Sequence, residues 1–120
     1  MRKLLAVCLM LTNLSAFASI SHIKSKEELN NITSQGVTVV DFYADWCGPC
    51  KKISPILEKL SDEEKGVAFI KVNSDHSNLG KEFHVTGLPT VILFVNGQEV
   101  NRFVGFKDEE FIRSFIKKGG

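Results

Sequence analysis

Val40-Asp41-Phe42-Tyr43-Ala44-Asp45-Trp46-Cys47-Gly48-Pro49-Cys50-Lys51 is the segment on which the fold of this chain turns. Its first part continues from Val37 and Val39 as a nearly unbroken apolar run, rich in β-branched and aromatic residues. That pattern suits a strand buried on both faces. Beyond it, Ile53, Ile56, Leu57 and Leu60 fall on one face of a helix over about 47–60. Two cysteines therefore stand where a strand gives way to a helix. One thiol so placed can attack a foreign disulfide while its neighbour completes the exchange, so the pair points to thiol–disulfide chemistry.

Working outward, residues 20–23 read as a short strand, and Ser25 with Glu28 forms a capping box that opens a helix with Leu29 and Ile32 inward. Gln35-Gly36 stops that helix before the strand over 37–43. Pro55 lies inside the next helix, where it removes one backbone bond and crowds the carbonyl of Lys51, so a kink is expected. Residues 67–72 read as a strand, and Ser74 or Asp75 as the cap of a short helix reaching Phe83. Two apolar runs, 90–95 and 99–104, flank Asn96-Gly97, a strong hairpin signal. A last helix over 108–117 is expected to bury Phe111, Ile112, Phe115 and Ile116; its acidic start and basic end complement the helix dipole. The order β-α-β-α-β-α-β-β-α predicts an α/β fold, its sheet parallel through the crossovers and antiparallel at the final hairpin.

The first residues read differently. Met1-Arg2-Lys3 is basic, residues 4–14 are mostly apolar, and Ala16-Phe17-Ala18 has the small-x-small form of a cleavage site. Residues 1–18 are thus expected to be a secretory signal peptide, with Ser19 as the mature N-terminus. The competing reading is an uncut anchor, but the apolar stretch is short against the roughly 20 residues a span needs, and Thr12 and Asn13 interrupt it. Cleavage leaves residues 19–120 as one domain. It removes Arg2 and Lys3, so the formal charge falls from +1 to −1. A near-neutral domain with interspersed charges carries no electrostatic footprint for nucleic acid or an anionic membrane. Asn31-Ile32-Thr33 is a glycosylation sequon, relevant only in a eukaryotic secretory route; the short basic leader suits a bacterial periplasm.

Of the three cysteines, Cys8 leaves with the leader, and Cys47 and Cys50 remain. A disulfide closing so small a loop adds little chain-entropy stabilisation, which favours a chemical role. A thiol at a helix N-terminus is more easily ionised, because unpaired N–H groups and the dipole favour negative charge. Pro49 suits a first helical turn, where its missing N–H costs nothing, and Gly48 allows close approach. Cys47 would form the mixed disulfide and Cys50 would resolve it. Half of a zinc site is the bland alternative; it lacks a second close ligand pair, since His22, His76 and His84 are scattered.

The quoted segment resembles the active-site segment of thioredoxins, and the similarity extends over essentially the whole of 19–120. Pro55 matches the proline of the family's active-site helix, and Lys71-Val72-Asn73 with Asp75 its third strand and exit. Gly87-Leu88-Pro89-Thr90 matches its cis-proline loop, and Gly97 and Gly105 two glycines near the final hairpin. The resemblance implies the thioredoxin fold, a mixed sheet of four to five strands flanked by helices. It implies Asp41 as a buried acid behind the cysteines, against the alternative of a plain strand-end polar residue. Lys71 would tune Asp41, or be a solvated strand lysine. Pro89 would be cis and face the disulfide. Trp46, Gly48, Pro49, Leu88, Val104 and Gly105 would form the client-docking surface, with core packing the competing role for Trp46. Two departures stand out: Tyr43 where tryptophan is usual, and Phe106 where a small residue is common.

The expected activity is dithiol–disulfide exchange with protein clients, with no metal or organic cofactor because the Cys47–Cys50 pair is itself the carrier. Reductase action in an exported compartment is expected, with an electron-donor reductase, possibly membrane-embedded, as second partner and a monomeric state. The alternatives are a net oxidant of exported proteins and a non-catalytic client-binding module.

Overall fold

In the computed structural model, which describes residues 20–119, five strands and four helices follow in the order β-α-β-α-β-α-β-β-α. They are β1 (Ser21–His22), α1 (Lys26–Thr33), β2 (Val37–Tyr43), α2 (Gly48–Glu63), β3 (Val67–Asn73), α3 (Leu79–Glu82), β4 (Thr90–Val95), β5 (Gln98–Val104) and α4 (Glu109–Lys117). The leader, Cys8 and the expected cleavage after Ala18 lie outside the described residues. The sheet order is β1-β3-β2-β4-β5, which makes β2 the central strand. Strands β1, β3 and β2 are mutually parallel, whereas β4 runs antiparallel to both β2 and β5. The antiparallel half thus begins one strand earlier than the crossover pattern predicts. The reason is α3: four residues cannot carry the chain back over the sheet as a full crossover helix does.

Side chains of β2 alternate between two apolar layers. Val39 faces Ile53 and Leu57 of α2 and Ile112 and Ile116 of α4. Val40 and Phe42 face Leu29 of α1 and Leu79 of α3 on the other side. With both faces covered, β2 has no solvent side, and five of its seven residues are buried.

The local signals mostly hold. Ser25 and Glu28 form the reciprocal capping box of α1, while Ile32 is only half-buried and Thr33 takes the inner position. Pro55 lies within an uninterrupted α2, exposed, and the helix runs on to Glu63, three residues past the expected end. Arg113 of α4 pairs there with Glu63. Asn96 (φ +49°) and Gly97 (φ +85°) make the turn between β4 and β5 with both φ angles positive, which asparagine and glycine tolerate best.

Two further expectations fail. Helix α3 is not capped by Ser74 or Asp75; it starts after Asn78, whose own side chain makes no capping bond. The Ser74 hydroxyl is buried without a partner among the described residues, and Asn73 Oδ1 accepts from the Asp75 N–H (2.9 Å); the Ser77 hydroxyl donates to the Lys24 carbonyl (2.8 Å) and accepts from the Leu79 N–H (3.1 Å). Phe111 is not buried but 45% exposed. It sits at the rim of the α4 stripe, edge-on to Phe103 (5.4 Å between ring centroids) and beneath the Lys107 ammonium.

Candidate active site

Strand β2 ends at Tyr43, and a short turn through Trp46 delivers the chain to the start of α2. Cys47 is the N-cap of that helix, with extended backbone, and its Sγ accepts a hydrogen bond from the Cys50 N–H (3.1 Å). Sulfur thus takes the place of the usual oxygen cap, and the first turn of α2 carries no acidic residue. The helix N-terminus is left electrostatically open to a thiolate. Cys47 and Cys50 are joined as a disulfide with their Cα atoms 5.3 Å apart. Each is 4% exposed. Residue burial therefore does not rank the two cysteines; position does, because Cys47 caps the helix and Cys50 lies inside its first turn.

Asp41 lies on β2 opposite Lys71 of β3 and Val91 of β4. By strand alternation it shares the α2 side of the sheet with Val39. It is 2% exposed, and neither carboxylate oxygen has a hydrogen-bond partner among the described residues. A carboxylate so placed loses its water without compensation. Burial accordingly pushes the carboxyl up to about 7, with the Lys71 ammonium pulling in the opposite direction. The group can exchange a proton near neutral pH.

The Leu88–Pro89 bond is cis. The loop is held from both sides: the Thr90 hydroxyl donates to the Gly87 carbonyl (2.6 Å), and the Gly105 N–H to the Pro89 carbonyl (2.8 Å). Gly105 adopts φ +92°, a conformation that favours glycine. Leu88 packs against Ala44, Cys47 and Cys50. Val104 is half-exposed beside it, and a Cβ on Gly87 would meet its Cγ1 at 3.1 Å. Gly48 and Pro49 are exposed in the first turn of α2. Trp46 is 70% exposed, which removes the core-packing alternative. The cysteine pair, Asp41, Lys71 and the Leu88–Pro89 loop lie about the C-terminal half of the central strand β2, where β3, β4 and the start of α2 meet it. Phe106, 44% exposed, adds an aromatic ring just past Gly105.

Two contacts at the site leave no sign in the sequence. The Trp46 indole N–H donates to Asp75 Oδ2 (2.8 Å), which fixes the ring without burying it. Trp46 and Leu88 line one wall of an open groove of about 820 Å³ that continues past His76 and Lys81. The second contact joins Lys71 Nζ to the Ser54 hydroxyl (3.2 Å) beside a smaller cleft that reaches Cys50. Both join residues distant in sequence, so neither produces a local pattern.

A family model described as Thioredoxin matches residues 19–118. The chain belongs to the thioredoxin family. It is 43% identical over 97 residues to a thioredoxin of Chlamydia pneumoniae, covering 80% of this chain and 95% of that one. It is 49% identical over 88 residues to mitochondrial thioredoxin-2 of Schizosaccharomyces pombe, covering 72% and 65%. Among solved structures, a mutant thioredoxin from Halobacterium salinarum NRC-1 superposes with a TM-score of 0.79 at 35% identity, covering 85% and 91%. The protein is accordingly a thioredoxin-fold thiol–disulfide oxidoreductase acting on protein disulfides, and its redox-active disulfide takes the place of a cofactor.

Proposed function

We propose that this thioredoxin is an exported reductase of protein disulfides, working in a bacterial periplasm after cleavage before Ser19. In the forward cycle the Cys47 thiolate attacks one sulfur of a client disulfide. The client S–S bond breaks, a Cys47–client disulfide forms, and the client's other sulfur leaves as a thiolate that takes a proton from water. Asp41, buried on the α2 side of the sheet, then accepts the Cys50 thiol proton. The Cys50 thiolate attacks Cys47 Sγ and releases the second client thiolate. The products are a reduced client and the oxidised pair. A dithiol donor, for which a membrane-embedded reductase is suited, restores the cysteines. Trp46, Gly48, Pro49, Leu88, Val104 and Gly105 seat the client, with the Leu88 backbone beside Pro89 available to an extended segment. One copy carries every group the cycle uses, consistent with a monomer.

The direction rests on one observation: the residues between the cysteines give little to a thiolate. Gly48 and Pro49 contribute no side-chain donor and no charge, and Pro49 removes an N–H from the helix terminus. The Cys47 sulfur is left with the Cys50 N–H. Strong oxidants in this chemistry are those whose reduced form is stabilised, with 30 mV corresponding to about 1.4 kcal/mol. The helix N-terminus and one N–H stabilise the thiolate with no added side-chain donor or charge, which keeps the potential below that of the strong oxidants. The leader favours export over a mitochondrial destination, because residues 4–14 are apolar rather than amphipathic and Arg-rich.

Equilibration of the mature protein against glutathione, with thiol trapping in intact cells, tests the reading. A potential near about −270 mV, with the exported protein starting at Ser19 and held reduced, is the expected result. A potential near about −120 mV with the protein held oxidised replaces it with the oxidant. Insulin reduction by the mature protein with dithiothreitol separates turnover from client binding alone.

A further inference from the structure

Lys71 is held where an isolated strand lysine would not stay. Its Nζ has no anionic partner among the described residues, not even Asp41, its cross-strand neighbour. It donates instead to the Ser54 hydroxyl on α2 (3.2 Å) and lies 4.4 Å from the centroid of the Tyr43 ring. Both anchors border an open cleft of about 390 Å³ whose wall includes Cys50. An aromatic face attracts an ammonium at this range. Tyr43 is fixed in turn, since its hydroxyl lies 3.4 Å from His22 Nδ1 and the two rings meet edge-on.

We propose that Ser54 and Tyr43 are positioning residues that suspend the Lys71 ammonium at the mouth of the Cys50 cleft, within the field of Asp41 but outside an ion pair with it. This rests on Asp41 as the proton acceptor proposed above and adds what sets the acceptor's environment. An ammonium paired directly with Asp41 would pin the carboxylate in its charged form and block proton uptake. One released to bulk water would leave the carboxyl to burial alone. Suspension between the two keeps the acid able to exchange a proton near neutral pH.

The other groups facing Asp41 do not substitute for Lys71. On β4 its neighbour is Val91. On α2, Cys47 and Cys50 do not titrate while joined, and Lys51 lies on the solvent side of the cleft with Asp45 of the preceding turn. On α4, Arg113 and Glu109 are tied to each other and to Glu63 and Lys59, toward the far end of α2. His22 of β1 reaches the site through Tyr43.

The test is the carboxyl titration of Asp41 in the oxidised protein, followed by carbon-13 NMR. Ser54→Ala frees the ammonium, which goes to water because entering the buried site would cost its hydration. The expected result is a titration midpoint raised by about half a pH unit, with Lys71→Met raising it further and Ser54→Thr restoring it. The pH profile of mixed-disulfide resolution should move by the same amount. A midpoint unchanged or lowered in Ser54→Ala overturns the proposal; an unchanged midpoint in Tyr43→Leu removes Tyr43 from it. Alanine suits a helix interior, so Ser54→Ala should melt close to the parent. The titration reads position whatever Asp41 does in the reaction. Asp41→Asn reads the reaction: if resolution keeps its pH profile in that variant, Asp41 is not the acceptor, and this failure is distinct from an unmoved midpoint.

Discussion

The N-termini of α1, α4 and α2 meet the same physical demand in different ways. Each helix begins with backbone N–H groups that lack partners. In α1, Ser25 Oγ accepts from the Glu28 N–H (3.2 Å), and the Glu28 carboxylate accepts from the N–H groups of Ser25 and Lys24. Those backbone bonds hold the Glu28 carboxyl below its usual range. In α4, Asp108 Oδ1 accepts from the Phe111 N–H (2.9 Å), with Glu109 and Glu110 in the first turn. Both ends are filled with oxygen and negative charge. Helix α2 has a sulfur cap and no acid in its first turn. The difference separates helix ends that serve stability from one whose unspent potential serves a thiolate, and it can be broken from either side.

The largest effect is expected at Cys47. Serine is a better N-cap than cysteine, so Cys47→Ser keeps α2 started and the fold intact. The disulfide it removes spans a separation of only three residues, and its loss costs little chain entropy. Turnover should nevertheless vanish. Cys50→Ser should leave the nucleophile and remove the resolving thiol, so mixed disulfides through Cys47 accumulate. Non-reducing gels with mass mapping distinguish the two; trapping by Cys47→Ser, or normal turnover by Cys50→Ser, would reverse the assignment of roles.

How much of this is legible in the sequence follows from the range of the interactions involved. The capping box of α1, the Asn96-Gly97 turn and the unbroken apolarity of β2 are local patterns, and they predict their elements closely. The cysteines and Pro89 are legible because they carry chemistry in their residue types. The start of α3 is not, because Ser74, Asp75 and Ser77 are all competent caps; the tertiary contact with Trp46 takes Asp75, while Ser77, held by the Lys24 carbonyl, accepts from the Leu79 N–H. The exposure of Phe111 is not, because the apolar stripe of α4 is wider than the surface it covers. The Ser54–Lys71 contact depends on how α2 lies over β3, which no local spacing encodes.

A smaller effect, with a pH signature, is expected at Asp41. Its carboxyl ionises near 3.8 in an unfolded chain and at about 7 in the folded one. Below the lower value it is neutral in both states and costs nothing. As pH rises through this window the unfolded chain ionises first, so native stability falls; above the upper value the penalty is constant. Asp41→Asn removes it, while leaving a buried amide that also lacks partners. The balance is a gain of about 2 kcal/mol around pH 8 that fades toward pH 4, measured by urea unfolding. Exchange should slow about tenfold or more at neutral pH, in the range by which a positioned base accelerates proton transfer. Equal stabilisation at both ends of the pH range would mean that the carboxyl is not held neutral in the native state.

The smallest effects belong to the helix ends that carry only stability. Ser25→Ala removes one half of the α1 box and frees the Glu28 side chain from its reciprocal role; the expected loss is about 1 kcal/mol. Asp108→Ala should cost a similar amount, because the Phe111 N–H loses its acceptor at an exposed terminus where water replaces it in part. Asp108→Asn keeps an oxygen cap and gives up only charge at the dipole, so a change within about 0.5 kcal/mol is expected. In all three, insulin reduction at a temperature well below melting should equal that of the parent, since neither helix touches the cysteine pair. A cap variant that lowers exchange while leaving the unfolding midpoint unmoved would show that α1 or α4 communicates with the site, and that the division between the helix ends does not hold.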